Sequence, residues 1–211
     1  MLWESLSPAW RAVVEETWAA YCAGSIPHGA VITDAAGRLL ARGRNRVQER
    51  HGPPGQFFGQ KLAHAEMNAL LALDWTREDP RTCTLYAAAE PCDHCAGALL
   101  VTRIGAVHYG SRDPVGGRAD LLTANPQLRP RPMAVLAAER ADLELLLMAL
   151  RAAYWLRNKE QEARLVAVWR AIAPAALRLG ERLNAAGALD RLCAQSVPAD
   201  VMVQQLTELL T

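Results

Sequence analysis

Two short stretches of the chain hold residues that could do chemistry together: His64-Ala65-Glu66 and, further along, Pro91-Cys92-Asp93-His94-Cys95. Cysteines at i and i+3 lie on one face of a helix, so both sulfurs can reach one ion. In a first helical turn the free backbone N–H groups and the positive end of the helix dipole favour thiolate, the form that binds a metal. With neutral His64 as the third ligand, a zinc ion would have three protein ligands and one open position, which separates catalytic zinc sites from closed structural ones. The open position would hold a water whose pKa the metal lowers toward neutrality. His94, between the cysteines, is the alternative histidine, although i+2 from Cys92 aims it off the shared face.

Glu66 follows His64 by two positions, about 200° around an ideal helix, so in mid-helix the two side chains would point apart. The spacing therefore predicts that both sit at a helix entry, where Glu66 can approach the metal-bound water without ligating the ion. There the carboxylate could take a proton from the water and return it to a leaving group. Either motif alone has a plainer reading. A cysteine pair three apart is often structural or redox-active, and a lone histidine near a helix start usually caps or packs. What favours metal chemistry is both motifs each opening a helix.

The elements that must position these residues can be read from periodicity. Apolar residues recur at helical spacing from Ser7 to Cys22, with Ser7-Pro8 as cap and first turn. Gly29–Thr33 and Leu39–Gly43 are β-prone runs joined by Asp34-Ala35-Ala36-Gly37, a hairpin-length connection. His64 to Leu73 reads as a helix, Thr82 to Ala88 as a strand, and Pro91 as the first position of a helix reaching Thr102. Ala106–Tyr109 and Met133–Leu136 read as further strands, and Ala138–Trp155 as a long apolar-striped helix. Strand and helix alternate, which predicts an α/β layered sheet covered by helices. From Lys159 onward no strand signal appears, and Pro174, Gly180, Gly187 and Pro198 punctuate three short helices. The expected division is a catalytic domain over residues 1–157 and an all-helical C-terminal extension over 158–211.

Composition bounds the rest. With 23 basic and 22 acidic residues the net charge is +1, which gives no global field for a polyanion or an anionic membrane. No run reaches about 18 uninterrupted apolar residues, and Met1-Leu2-Trp3-Glu4 lacks a basic leader, so a soluble cytoplasmic protein is expected. Of the five cysteines, Cys22, Cys83 and Cys193 have no neighbour at metal spacing and read as small buried hydrophobes.

Further motifs accompany the two metal stretches: Pro27-His28-Gly29-Ala30-Val31-Ile32, Met67-Asn68-Ala69-Leu70, Leu85-Tyr86 through Glu90, Ala96-Gly97-Ala98-Leu99, and Tyr109-Gly110 through Arg112-Asp113-Pro114. Over residues 8 to 155 they resemble the cytidine deaminase-like superfamily, in the branch of tRNA adenosine deaminases and guanine deaminases. A histidine, two cysteines and a non-ligand glutamate are the general signature of zinc deaminases. The resemblance implies a three-layer fold with a five-stranded mixed sheet, both metal helices on one face, a bound Zn2+ and a homodimer. It also implies that Asn45 hydrogen-bonds the substrate base, and that the backbones of Ala65 and Cys92 meet the substrate and the attacking oxygen. The chain departs from that branch at Leu62-Ala63 before the histidine motif, at His94 where an apolar residue is common, and in its helical tail. Met67-Asn68 instead resembles deoxycytidylate deaminases.

The expectation is a hydrolytic deaminase that removes the exocyclic amine of a nucleobase, nucleoside or related heterocycle, with a small-molecule substrate favoured over tRNA by the near-neutral charge. The rival is a tRNA-specific adenosine deaminase, supported by Arg38, Arg42, Arg44, Arg46 and Arg50 against one acid, Glu49. A rival of another class is a non-catalytic, zinc-stabilised module that binds a partner through the tail; the intact Glu66 speaks against it. Within the tail, Leu165, Val166, Val168, Trp169, Ile172, Ala173, Ala176, Leu177 and Leu179 form a broad apolar stripe. Such a stripe must be covered, so the tail is expected to pack on the catalytic body or across a dimer.

Overall fold

Five strands in the order β2-β1-β3-β4-β5 form the sheet of the computed structural model. It describes residues 2–125, 133–138, 140–157 and 162–208, with side chains in the last segment from Val166 onward. β1 (Gly29–Thr33) pairs antiparallel with β2 (Leu39–Arg44), as the hairpin connection requires, with Val31 opposite Arg42. Gly37 turns that connection at φ +78°. On its other side β1 pairs antiparallel with β3 (Thr84–Ala87), which runs parallel to β4 (Ala106–Tyr109), itself parallel to β5 (Ala134–Ala137). Parallel neighbours need crossover connections. The chain between β3 and β4 carries the longer crossover helix.

Ten α-helices surround this sheet among the described residues. They are α1 (Leu2–Ser5), α2 (Pro8–Cys22), α3 (Ala65–Leu71), α4 (Asp93–Thr102), α5 (Leu121–Ala124), α6 (Ala141–Arg157), α7 (Glu162–Ile172), α8 (Pro174–Ala185), α9 (Ala188–Ala194) and α10 (Ala199–Glu208). Side chains alternate across each strand, so the sheet buries two different sets. Ile32, Leu85 and Val107 face Ala65 and Ala69 of α3 and Ala96 and Leu99 of α4. Val31 and Ala88 face Val13, Val14 and Trp18 of α2 and Leu146 and Leu150 of α6. The result is the three-layer α/β arrangement expected. Gly43 sets its tightest approach: a Cβ there would lie 2.2 Å from the Ala69 nitrogen, so only glycine lets β2 hold α3 this close.

Several boundaries differ from the sequence reading for local reasons. β3 begins at Thr84 because Pro80–Thr82 winds a 3-10 turn, with the Asp79 carboxylate accepting from the Arg81 N–H. Pro91 is not the first helical residue, since Cys92 is the N-cap and Asp93 opens α4. The long helix α6 starts at Ala141, later than Ala138, which sits at φ 30°. The tail holds four helices and not three. Pro174 starts α8 directly after α7, while Gly180 lies inside α8 and does not interrupt it. Lys159, the side chain of Leu165, Leu209 and Leu210 lie outside what is described.

The tail shares the body's core. Leu179 and Leu183 of α8, Leu189 and Leu192 of α9 and Met202, Val203 and Leu206 of α10 join one buried cluster with α2 and α6. The Trp18 indole donates to the Val197 carbonyl at 2.7 Å. Cys22 and Cys193 correct the sequence reading outright. They form a disulfide between α2 and α9 across 171 positions, and only Cys83 of the three is a free buried thiol. Closing a loop of that length removes on the order of 5 kcal/mol of unfolded-chain entropy in the loop-closure account. No helix among the described residues is long and apolar enough to cross a membrane.

Candidate active site

His64 and Cys92 occupy equivalent places at the starts of α3 and α4. Each is an N-cap with extended backbone, His64 at φ −75°, ψ 157° and Cys92 at φ −77°, ψ 175°. An N-cap side chain projects over the free N–H groups of the turn it opens. Both helices lie on the same face of the sheet, so the two caps meet. The Sγ atoms of Cys92 and Cys95 lie 3.5 and 3.4 Å from His64 Nδ1. Glu66, in the first turn of α3 and 6% exposed, reaches the Cys95 thiol. The helix-entry placement required of His64 and Glu66 is thus the placement found.

His94 adds a second imidazole to this cluster. Its ring stands edge-on to that of His64 with centroids 5.5 Å apart. Its buried Nδ1 finds no partner among the described residues. Donor atoms of His64, His94 and Cys95 lie within 4.8 Å of one another and are placed to bind a metal ion. Two trios therefore overlap here. His64 and Cys95 belong to both, while Cys92 and His94 compete for the third place. Thiols, imidazoles and a lone buried nitrogen are a donor set that suits zinc.

The electrostatics follow from crowding. The Cys95 thiol donates to Cys92 and holds the Cys92 thiol down at about 3, with His64 adding to the effect against the cost of burial. Cys95 is correspondingly pushed up by that same bond and by burial. His64 is raised by its bond to Cys92, and burial raises Glu66 above the usual carboxylate range.

Around this cluster the loops are stapled by residues to which the sequence reading assigned no role. Glu90 accepts from the N–H groups of Asp113 and Ala119, both at 3.2 Å, and its own N–H donates to the Ser111 carbonyl at 2.8 Å. This ties residues 111–119 to the segment leading into Cys92. Asn68 is fully buried; it accepts from the Phe57 N–H at 2.8 Å and donates to the carbonyls of Arg44 and Phe57. The sequence offered for either only its closeness to a metal motif and its place in a stretch that resembles the family.

Asn45 is 1% exposed, its N–H donates to the His28 carbonyl, and its Oδ1 accepts from the Val47 N–H at 3.1 Å. Ala65 is buried at the first position of α3. Four of the five clustered arginines are paired within the chain. Arg38 pairs with Asp34, Arg42 with Glu15, and Arg44 and Arg46 both with the buried Glu49, Arg44 through two parallel 2.9 Å bonds.

Layered fold and donor cluster together define a zinc-binding protein of the deaminase type. Residues 4–111 match the cytidine and deoxycytidylate deaminase zinc-binding region, and the chain belongs to that family. It is 37% identical over 111 residues to a tRNA(Ile)-lysidine synthase of Deinococcus radiodurans, covering 50% of this chain and 18% of that one. It is 34% identical over 112 residues to the tRNA-specific adenosine deaminase of Bacillus subtilis, covering 51% of this chain and 62% of that one. The chain thus spans less than two thirds of the length of either curated relative. Its fold is similar to that of a guanine deaminase from Nitrosomonas europaea, with TM-score 0.53 and 24% identity over 70% of this chain and 84% of that one.

Proposed function

We propose that the protein is a zinc-dependent hydrolytic deaminase of an amino-substituted nucleobase or nucleoside, with His64, Cys92 and Cys95 as ligands and Glu66 as the proton carrier. The observation that carries this reading is the convergence of both thiols on His64 Nδ1 with a buried carboxylate beside them. Cys92 is preferred to His94 because the N-cap sulfur sits where the helix dipole and free N–H groups favour thiolate. Leaving His94 out also keeps one coordination position open, as catalysis requires. A zinc ion held by these three residues supplies an acidified water and polarises the reacting carbon's surroundings.

The remaining work falls to the chain's own groups. Glu66 accepts a proton from the attacking water as a C–O bond forms at the carbon bearing the amine. It then delivers a proton to that amine, the C–N bond breaks, and ammonia leaves while the ring keeps a carbonyl. Burial suits the carboxylate to this exchange, since it keeps bulk water from competing for the proton between the two steps. With its Oδ1 engaged by Val47, Asn45 has its NH2 group left for a carbonyl or ring nitrogen of the base. The free N–H of Ala65 at the start of α3 is a second donor to substrate.

A free base or nucleoside is favoured over tRNA. Four of the five clustered arginines are neutralised by carboxylates of this chain, and polynucleotide affinity depends on basic groups free to meet phosphates. The similarity to tRNA-specific adenosine deaminase favours the second reading, deamination of an anticodon adenosine. In either case residues 1–157 are taken as the catalytic unit, 158–211 as its extension, and a homodimer as the working form. Ammonia release from guanine, adenine, cytosine and their nucleosides, set against an anticodon stem-loop over a salt series, tests the choice. Turnover confined to the stem-loop overturns the small-substrate reading, and no turnover of any of them overturns the enzyme.

A further inference from the structure

Arg151 stands on the apolar face of α6, between Leu150 and Ala152, and is 3% exposed. A charge in that place is costly unless it is paired. Its polar partners come from the loop after β4 and from the residue before β1. Nη2 donates to the Arg112 carbonyl at 2.8 Å, and Nη1 lies 3.5 Å from Asp113 Oδ2 and 3.4 Å from His28 Nε2. The face of the guanidinium is covered by the indole of Trp169 in α7, 4.9 Å from the ring centroid. Its Nε finds no acceptor among the described residues.

Asp113 and His28 each lead to the site by one further contact. The Asp113 N–H donates to Glu90, two residues before Cys92, and Asp113 Oδ1 accepts from the N–H groups of Val115 and Gly116 to shape the loop. The His28 carbonyl accepts from the Asn45 N–H, and its imidazole lies within the electrostatic reach of His64. Arg151 and Trp169 lie beyond residues 4–111, so the family match does not account for them.

We infer that Arg151, clamped by Trp169 of the C-terminal extension, is a positioning residue for the substrate pocket. It holds Asp113, and with it the 111–119 loop, against the metal side of the site, and it braces His28 behind Asn45. The extension is then a working part of the deaminase site, an inference that rests on the deaminase reading for its catalytic consequence but not for its geometry.

The test uses the full-length, zinc-loaded chain in four variants: Arg151→Met, Arg151→Lys, Trp169→Ala and Trp169→Phe. Three quantities are read: amide hydrogen exchange at Val115, Gly116 and Gly117, kcat and KM on the best substrate of the base panel, and Tm. Arg151→Met and Trp169→Ala should exchange at least tenfold faster at these amides and lose at least tenfold in kcat/KM, mostly through KM. Tm in Arg151→Met should fall as well, because the part-buried Asp113 loses its counter-charge, so the split between kcat and KM and the recovery in Trp169→Phe separate positioning from mere stability. Trp169→Phe keeps a ring face for the guanidinium and should restore both readouts, whereas Arg151→Lys, lacking the planar fork, should not. Unchanged exchange in Arg151→Met overturns the inference, as does faster exchange with kcat and KM both unchanged. Should Arg151→Met not fold, Trp169→Ala against Trp169→Phe decides the same question. If the wild-type protein turns over no base, the deaminase reading falls while the exchange rates still decide whether Arg151 positions the loop.

Discussion

Substituting Gly180 by alanine separates a docked tail from an independent one by the sign of its effect. In a helix interior exposed to solvent, glycine to alanine stabilises by about 1 kcal/mol. At Gly180, however, α8 lies so close to α6 that an added Cβ would stand 2.7 Å from Ala152 Cβ, 2.9 Å from the Ala153 nitrogen and 3.1 Å from the Ala149 carbonyl oxygen. Two of those three atoms are backbone and cannot rotate aside, so the helices must separate. Overpacking of this kind costs about 1–3 kcal/mol, and the backbone contacts put Gly180→Ala toward the upper end. Subtracting the propensity gain leaves a net loss of about 1–2 kcal/mol. Urea unfolding of the full chain measures it, and Ala152→Gly in the Gly180→Ala background should recover part of the loss, giving a coupling between the two positions. A Gly180→Ala protein more stable than wild type by about 1 kcal/mol would refute the packing of α8 on α6 and the reasoning built on it.

Three further outcomes follow from the site and the core. Cys92→Ala and Cys95→Ala should lose stoichiometric zinc, because removing one of three ligands leaves too few for a stable site, while His94→Ala should retain it; metal analysis of the purified variants checks both, and zinc loss in His94→Ala would exchange the roles of His94 and Cys92. Glu66→Ala should keep zinc and fold while turnover on the best substrate falls about 10²–10⁴-fold, read by ammonia release alongside metal content. Burial raises Tyr21 from its ordinary 10.0 to about 12 against the nearby Arg157. Because the folded state holds the proton more tightly, this contribution is complete below pH 10 and is lost as pH rises from 10 through about 12, to a total of about 3 kcal/mol. Unfolding free energy measured across that range should fall less steeply in Tyr21→Phe.

The sequence by itself determined which residues gather at the site and the order of the elements that carry them. The grouping of His64, Glu66, Cys92 and Cys95 could be read because it depends on spacing within a few residues and on the physics of a helix start, both of which are local. The hairpin of β1 and β2 and the alternation of strand and helix were legible for the same reason, since period and turn residues are short-range signals. Tertiary structure decided whatever depends on which distant groups arrive at the same place. Cys22 and Cys193 carry no sign of each other across 171 positions, and only the docking of α9 on α2 joins them. The arginines after β1 read as a basic cluster with Glu49 its one acid, until the fold brings Glu15 of α2 onto Arg42. Arg151 draws no reading from the sequence, and only the fold brings Arg112, Asp113, His28 and Trp169 around it. A charged side chain takes its meaning from the partners that offset its burial, and those partners are assigned by the fold and not by the neighbouring residues.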